Sequence, residues 1–223
     1  MDKHTAYFNI LNALPATGCV VCRLGHNVEV NYIKDVLYSK TTSVRTRAEL
    51  REARGFCITH ARQLDQIGHA LGLSLIYQDI LITLQDVLQQ HCPQRTPSRR
   101  AKRQLANALA PQAECPACAY RAGLEQVYVE TLLDHVVEQE FVAEVRAADP
   151  LCLNHFRHAI EESPSLRQLH ALCDSQLAHW ERLIAELGEF VRKNDYRFHD
   201  EVIGPEGTAW LCAIDAIAGT RTF

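Results

Sequence analysis

Apolar residues recur along this chain in steps of three and four, which is the period of one face of an α-helix. The clearest run comprises Leu166, Leu169, Cys173, Leu177, Trp180, Ile184, Leu187 and Val191. We expect this run to form the core-facing side of a long helix, with Ser163 as N-cap and Pro164 as first helical residue. A less regular run from Leu64 to Leu88 has a similar period. No stretch alternates apolar and polar residues as a half-buried strand does, so the pattern predicts an all-α fold.

Cysteine and histidine residues form four short motifs that occur in the same order in the two halves of the chain. The motifs are Cys19-Val-Val-Cys22, Cys57-Ile-Thr-His60, Cys115-Pro-Ala-Cys118 and Cys152-Leu-Asn-His155. The CxxC and CxxH motifs are separated by 34 residues in the first half and by 33 in the second. Three thiolates and one imidazole are the four ligands that a closed tetrahedral zinc site needs. The repeat therefore predicts two related helical units, each with one Cys3His site, and two Zn²⁺ ions in all.

A ligand motif at the start of a helix favours metal binding, because the exposed amide groups and the helix dipole stabilise thiolates. About 17 residues of helix span roughly 25 Å, so an outgoing and a returning helix fit between the CxxC and CxxH motifs of one half. We therefore expect each half to close its own site. Four protein ligands leave no position for water, which favours a structural role. Iron–sulfur clusters are the alternative, because sulfur-rich ligation does not by itself distinguish zinc from iron.

The repeat suggests a division of the chain into four parts. Residues 1–93 are the first helical metal-binding unit, residues 94–103 a basic linker, and residues 104–192 the second metal-binding unit. Residues 193–223 form a C-terminal segment that has no counterpart in the first half. We expect it to contain a closing helix capped by Thr208, with Trp210, Ile214 and Ile217 as its apolar face and Gly219 at its end.

Composition limits the classes of function. Hydrophobic residues make up 47% of the 223 residues and charged residues 22%, which is ordinary for a globular protein. The net charge of -4 predicts no general affinity for nucleic acid or anionic lipid. The segment from Leu71 to Leu84 is too short to span a bilayer, so we expect no membrane association. Nine cysteines without a secretory signal predict a cytoplasmic metal-binding protein rather than a disulfide-linked one.

Few residues outside the motifs suggest chemistry. The tail residues Lys193, Tyr196, Arg197 and Phe198 combine cations with aromatic rings and are candidates for binding a ligand. Cys173 and Cys212 are expected to be packed thiols and Cys92 the most exposed one. The adjacent residues His199, Asp200 and Glu201 do not converge on one point, and no sequence motif of a known catalytic site occurs. We therefore assign no catalytic residue and regard an enzyme as the less favoured possibility.

The chain resembles an uncharacterised prokaryotic family of unknown function, the domain of unknown function 6062. The motifs that carry the resemblance are Cys115-Pro-Ala-Cys118, Arg54-Gly-Phe-Cys57-Ile-Thr-His60, and the stretch from Arg192 to Phe198 followed by Trp210 and Gly219. The resemblance covers most of the chain and implies no activity.

The function we predict is a non-enzymatic, zinc-stabilised helical scaffold or adaptor that binds a protein through the tail and the groove between units. An iron–sulfur redox or electron-transfer protein is one alternative. A nucleic-acid-binding protein that uses the tail and the basic run from Arg95 to Arg103 is the other. The sequence does not specify an oligomeric state.

Overall fold

The computed structural model describes residues 1–93, 96, 98–198 and 200–220, apart from the side chain of residue 65. It is 76% helical and contains no strand among the described residues, which confirms the all-α prediction. In chain order the α-helices are α1 (Lys3–Ala13), α2 (Val20–Tyr38), α3 (Val44–Glu52), α4 (Ile58–Ile67), α5 (Ala70–His91), α6 (Arg99–Leu109), α7 (Pro116–His135), α8 (Gln139–Ala147), α9 (Leu153–Glu161), α10 (Leu166–Lys193) and α11 (Ala209–Ala218). Two short 3-10 helices, Tyr196–Phe198 and Pro205–Thr208, lie between α10 and α11.

All four ligand motifs lie at the start of a helix, as their residue types predict. α2 begins directly after Cys19, and α7 begins with a proline directly after Cys115. Cys57 and Cys152 are the N-cap residues of α4 and α9. The first backbone N–H groups of a helix have no intrahelical partner, so each motif lies beside amide donors that can stabilise a thiolate.

The chain forms two compact units that interleave along the sequence. Unit 1 comprises Met1–Asn27 and Gly123–Phe223, and unit 2 comprises Val28–Ala122. The repeat, in contrast, suggests consecutive units of residues 1–93 and 104–192. The boundaries between the compact units fall within α2 and α7, so each of these two helices contributes residues to both units.

Each unit has a core of its own. The core of unit 1 is built around the fully buried Phe141 and Tyr128, with aliphatic residues from α1, α2 and α7. The core of unit 2 contains Ile33 and Leu37 from α2, and Ile76 and Ile80 from α5. The ligand cysteines Cys19, Cys22 and Cys152 belong to the first core and Cys115 to the second. The candidate metal sites are therefore parts of the hydrophobic cores.

Only part of the apolar run of α10 faces the core as predicted, since Cys173 and Trp180 pack against the core of unit 1. Leu177, Ile184 and Val191 are 52%, 68% and 71% exposed, and the same helix buries Leu172, Ser175, Gln176 and His179. The buried polar side chains are satisfied by backbone groups: Gln176 Nε2 donates to Leu151 O at 2.9 Å, and Ser175 Oγ donates to Ala171 O at 2.8 Å. Because backbone carbonyls accept their hydrogen bonds, these polar side chains can be buried on a helix face that also carries apolar residues.

The helix boundaries add detail to four expectations of the sequence analysis. α10 begins at Leu166 with Ser165 as N-cap, two residues later than the predicted cap at Ser163. α6 begins at Arg99, inside the residues assigned to the basic linker, while Gln94, Arg95 and Pro97 lie outside the described residues. Thr208 occupies the N-cap position of α11 without a capping hydrogen bond from its side chain. Gly219 ends α11, as predicted, with a φ of 96° that suits glycine.

Candidate metal centres

The first candidate metal centre, called centre 1, lies within unit 1 and consists of Cys19, Cys22, Cys152 and His155. The His155 Nδ1 lies 3.5 Å from Cys19 Sγ, 3.3 Å from Cys22 Sγ and 3.2 Å from Cys152 Sγ. Cys22 Sγ and Cys152 Sγ are 3.6 Å apart. All four residues are buried, so solvent has little access to the sulfur atoms.

The second candidate metal centre, called centre 2, lies within unit 2 and consists of Cys57, His60, Cys115 and Cys118. The His60 Nδ1 lies 3.1 Å from Cys57 Sγ and 3.4 Å from both Cys115 Sγ and Cys118 Sγ. Cys57 Sγ and Cys118 Sγ are 3.7 Å apart. Cys57 and Cys118 are only half-buried, so this centre is more accessible than centre 1.

Both groups have the dimensions of a tetrahedral zinc site. Zn–S bonds of about 2.3 Å and Zn–N bonds of about 2.0 Å at tetrahedral angles place two sulfurs about 3.8 Å apart and a sulfur about 3.5 Å from the nitrogen. One pair of sulfurs in each centre is 3.6 or 3.7 Å apart, and the sulfur-to-nitrogen separations are 3.1 to 3.5 Å. All four candidate ligand atoms of each centre lie within 4.8 Å of one another. The residues present therefore fit a metal ion with four protein ligands, although the geometry does not identify the metal.

The prediction that each half closes its own site is wrong. Each centre combines the CxxC motif of one half with the CxxH motif of the other. The hairpin of two equally long helices expected within one half does not form, because α2 has 19 residues and the next helix, α3, only 9. At about 1.5 Å per residue, a helix of this length spans less than half the length of α2. The second half repeats this mismatch, with 20 residues in α7 and 9 in α8.

A buried carboxylate contacts the histidine of centre 2 on the side away from the sulfurs. Glu29 Oε2 lies 3.1 Å from His60 Nε2, and Glu29 is only 1% exposed. Arg121 Nη1 donates to Glu29 Oε2 at 2.9 Å, and Gln63 Nε2 donates to Oε1 at 2.6 Å. Burial alone would raise the pKa of Glu29, but the hydrogen bonds from His60, Gln63 and Arg121 lower it to about 2. Glu29 is therefore ionised at neutral pH.

Centre 1 has the same arrangement. Glu125 Oε2 lies 3.4 Å from His155 Nε2, and the Glu125 side chain is 16% exposed. Sequence reasoning missed both glutamates, although a signal was present: Glu29 and Glu125 each lie ten residues after the first cysteine of a CxxC motif. Each glutamate lies on the same helix as that CxxC motif. It nevertheless contacts the histidine of the centre to which the motif does not belong. Spacing within one helix does not reveal such a contact.

The thiols of centre 2 differ in acidity. Burial raises the pKa of Cys115, but hydrogen bonds from His60 and from the backbone amides of Cys57, Cys118 and Ala117 lower it to about 6. Burial and the neighbouring charge of Cys115 raise the pKa of Cys118 to about 12. A metal that binds all three sulfurs as thiolates must therefore displace protons, and its affinity must rise with pH.

Centre 1 shows the same competition for protons. Burial and the neighbouring sulfurs raise the pKa of Cys19, whereas hydrogen bonds from Cys19 and Cys22 lower the pKa of Cys152. Burial alone would lower the pKa of His155, but its contacts with Cys152 and Cys22 raise it to about 11. The imidazole must lose that proton before its Nδ1 can bind a metal.

The end of the C-terminal segment covers centre 1. The Cys19 N–H donates to Thr220 Oγ1 at 2.7 Å. Gly219 lies so close to the centre that a Cβ atom on it would be 3.5 Å from Cys22 Sγ and 3.9 Å from Cys152 Sγ. The segment without a counterpart in the first half thus contributes to shielding one of the two centres.

The predicted tail residues have different surroundings. Lys193 Nζ lies 2.8 Å from Glu206 Oε1, and this side chain is only 14% exposed. Arg197 pairs with Asp195 at 2.7 Å, and Tyr196 is 82% exposed. Phe198 packs under a guanidinium, since Arg192 Cζ lies 4.6 Å from its ring centroid. The tail therefore offers Tyr196 and Arg197 to solvent, but Lys193 is occupied by an internal ion pair.

The remaining sequence candidates are structural or exposed. Cys92 is exposed, as predicted, and Cys173 and Cys212 are half-buried. Cys173 packs against the core of unit 1. His199 lies outside the described residues, so its relation to Asp200 and Glu201 is not described.

Fold and site together define an all-α protein with two Cys3His groups that could hold metal ions. The chain belongs to the family of unknown function DUF6062, which matches residues 1–220. It is 26% identical over 208 residues to a protein of Caldicellulosiruptor sp. (strain Rt8B.4) named as an uncharacterized 23.9 kDa protein in the xynA 3' region. That match covers 91% of this chain and 96% of the relative. No solved structure matched the chain.

Proposed function

We propose that this protein is a non-enzymatic, zinc-stabilised helical scaffold or adaptor that binds a protein partner. The observation that carries the proposal is that each centre presents four protein ligands at tetrahedral separations. Such a centre leaves no coordination position for water or substrate, which is the arrangement of structural rather than catalytic zinc.

Zinc of this kind is strong enough to determine folding. Structural zinc binding is worth about 10–16 kcal/mol in small modules, similar to the whole stability of a domain. Centre 1 joins residues about 130 positions apart in the chain, such as Cys22 and Cys152, and centre 2 joins residues about 60 apart, such as Cys57 and Cys118. The two ions would hold distant segments of the chain together, as a scaffold requires.

The exposed run of α10 supports a protein as the partner. Leu177, Ile184 and Val191 are spaced by seven residues and each is more than half exposed. Half-buried Trp180 and Leu187 lie between them, which gives the alternating three and four spacing of a helix-pairing seam. Exposed apolar rows of this kind suit a helix of another protein, and the exposed Tyr196 and Arg197 of the tail provide a second contact surface.

Nucleic-acid binding is the second candidate, and the surface of α6 favours it. Arg99, Arg100, Lys102 and Arg103 are all exposed, and none of them takes part in an ion pair with another described residue. Binding through this face would weaken steeply with salt. Binding to DNA or RNA that is absent, or independent of salt, would dismiss this candidate.

A cytoplasmic location without membrane association is part of the proposal. Among the described residues, Ala70–His91 has the length and composition to cross a membrane, and 17% of its most apolar part is buried. Against a membrane role, Ile76 and Ile80 of this helix are buried in the core of unit 2. Asp79 on the same helix pairs with Arg47 and Arg51 at 3.1 and 2.6 Å, which suits a helix packed in a globular unit.

Metal analysis with a visible spectrum, on protein purified without oxygen, tests the metal. We expect about two zinc ions per chain, no colour, and the loss of one ion in each of Cys57→Ser and Cys152→Ser. Cys57→Ser should also make Cys115 and Cys118 reactive to alkylation while Cys19 stays protected. Detection of iron together with sulfide would contradict the zinc scaffold and support an iron–sulfur redox protein instead.

Two sets of substitutions test the protein partner. Leu177→Gln with Ile184→Gln disrupts the α10 row, and alanine at Tyr196 and Arg197 disrupts the tail. We expect at least one of these two sets to abolish capture of the partner protein, while the zinc content stays at two ions per chain. Val44→Gln is the matched control, because Val44 is 82% exposed in unit 2. Capture that survives both sets would remove these surfaces from the proposal.

A further inference from the structure

The two histidine ligands are each held from behind by a glutamate. We propose that Glu29 and Glu125 are positioning residues of the metal centres, which orient His60 and His155 and raise their affinity for the metal. The inference rests on the proposed function only in requiring that a metal ion occupies the centres.

The proton arrangement follows from the geometry. In both centres the Nδ1 atom faces the sulfurs, so Nε2 is left to carry the ring proton. A carboxylate lies at that atom in both, at 3.1 Å in centre 2 and 3.4 Å in centre 1. Hydrogen bonding of the second ring nitrogen to a carboxylate fixes the tautomer and the ring plane of a ligating histidine and makes it more basic.

The helix positions six residues after the first cysteine of each CxxC motif differ between the two halves. Glu29 is held by Arg121, six residues after the first cysteine of its motif. The corresponding position in the first half is Gly25, and a Cβ atom there would lie only 2.3 Å from Glu125 Oε1. Both glutamates contact a candidate histidine ligand, whichever residue type occupies this helix position.

The burial of Glu29 also supports its role as a positioning residue. A carboxylate that is 1% exposed loses its hydration, which is costly unless partners replace it. Three thiolates and a neutral imidazole around a divalent ion carry a net charge of -1, and each glutamate adds a further negative charge. Placing that charge beside the centre strengthens the hold on a bound cation.

Competition with a chromophoric zinc chelator on the full chain tests the inference. We expect Glu29→Gln to lower the zinc affinity of centre 2, and Glu125→Gln that of centre 1, by about 10- to 100-fold. The other centre of each variant is an internal reference and should keep its affinity. Glu130→Gln is the matched control, because Glu130 lies on the same helix as Glu125 and pairs with Lys3 at 3.7 Å rather than with a ligand.

A spectroscopic readout distinguishes positioning from a general effect on folding. In zinc-loaded wild-type protein, nitrogen NMR should show His60 and His155 bound through Nδ1, with Nε2 protons that exchange slowly with water. Each Gln variant should accelerate exchange at its own histidine only. The wild-type measurement remains decisive where a variant does not fold, since zinc on Nε2 in either histidine would overturn the inference.

Failure of the inference and failure of the proposed function give different results. Wild-type protein that binds no zinc contradicts the proposed function. Wild-type protein that binds two zinc ions, with unchanged affinity and proton exchange in both Gln variants, contradicts the role of the glutamates alone.

Discussion

Gly25→Ala provides a test of centre 1 that changes neither the candidate ligands nor the Glu125 residue type. Gly25 lies inside α2, where replacing glycine by alanine normally stabilises a helix by about 0.5–1 kcal/mol. Here the added Cβ would lie 2.3 Å from Glu125 Oε1 and 3.0 Å from Glu125 Cδ. Real Cβ contacts are not that short, so the carboxylate must move away from α2.

The displacement of the Glu125 carboxylate has an effect opposite to the stabilisation that alanine gives the helix. Glu125 reaches His155 Nε2 at 3.4 Å, and a shift of the carboxylate lengthens that contact. Hydrogen bonds to charged groups contribute about 1.5–3 kcal/mol, which exceeds the propensity gain. We therefore expect Gly25→Ala to lower the zinc affinity of centre 1 by about 10-fold or more, which corresponds to about 1.4 kcal/mol per factor of ten.

Gly123→Ala is the matched control. Gly123 also lies inside a long helix, α7, and a Cβ atom there has no other atom within 4 Å. This variant should raise the free energy of unfolding by about 0.5–1 kcal/mol and leave both zinc affinities unchanged. Urea unfolding of the zinc-loaded proteins and chelator competition measure the two quantities. If Gly25→Ala gained the same stability and kept the affinity of centre 1, the argument from Glu125 would be refuted.

Three further predictions follow from burial and charge. Phe141→Ala should lower the free energy of unfolding by about 3–5 kcal/mol in urea, because Phe141 is 1% exposed in the core of unit 1. The hydrogen bond from Lys193 lowers the pKa of Glu206 to about 2 from 4.5, so its stabilisation is present above pH 4.5 and lost as the pH falls towards 2. Glu206→Gln should therefore destabilise the protein at pH 7 and have no effect near pH 2, as measured by unfolding at a series of pH values. A chelator should remove zinc from centre 2 before centre 1, because Cys57 and Cys118 are only half-buried, and mass spectrometry of alkylated cysteines would show the order.

The helical fold and the eight cysteine and histidine residues that form the two candidate metal-binding groups could be predicted from the sequence, because both depend on local patterns. A CxxC or CxxH motif places its ligands within one helical turn, whatever the rest of the chain does. The direction of a helix face is different, since it depends on what packs against the helix. On α10, Gln176 and Ser175 face inward because backbone carbonyls accept their hydrogen bonds. Leu177, Ile184 and Val191 of the same helix are left exposed, and composition alone could not show which face of the helix would be buried.

The pairing of the motifs could not be predicted, because the repeat makes two solutions equivalent in ligand number and type. A CxxC motif can complete a four-ligand site with the cysteine and the histidine of either CxxH motif. The structure has the crossed pairing, and α3 and α8 are only about half as long as α2 and α7, unlike the equal helices expected of a hairpin within one half. The crossed pairing also limits what one half of the chain can bind. A chain that ends at residue 93 retains Cys19 and Cys22 of centre 1 and Cys57 and His60 of centre 2, which is two ligands of each. Neither half of the sequence therefore contains a complete centre, and the sequence repeat is not a unit of metal binding.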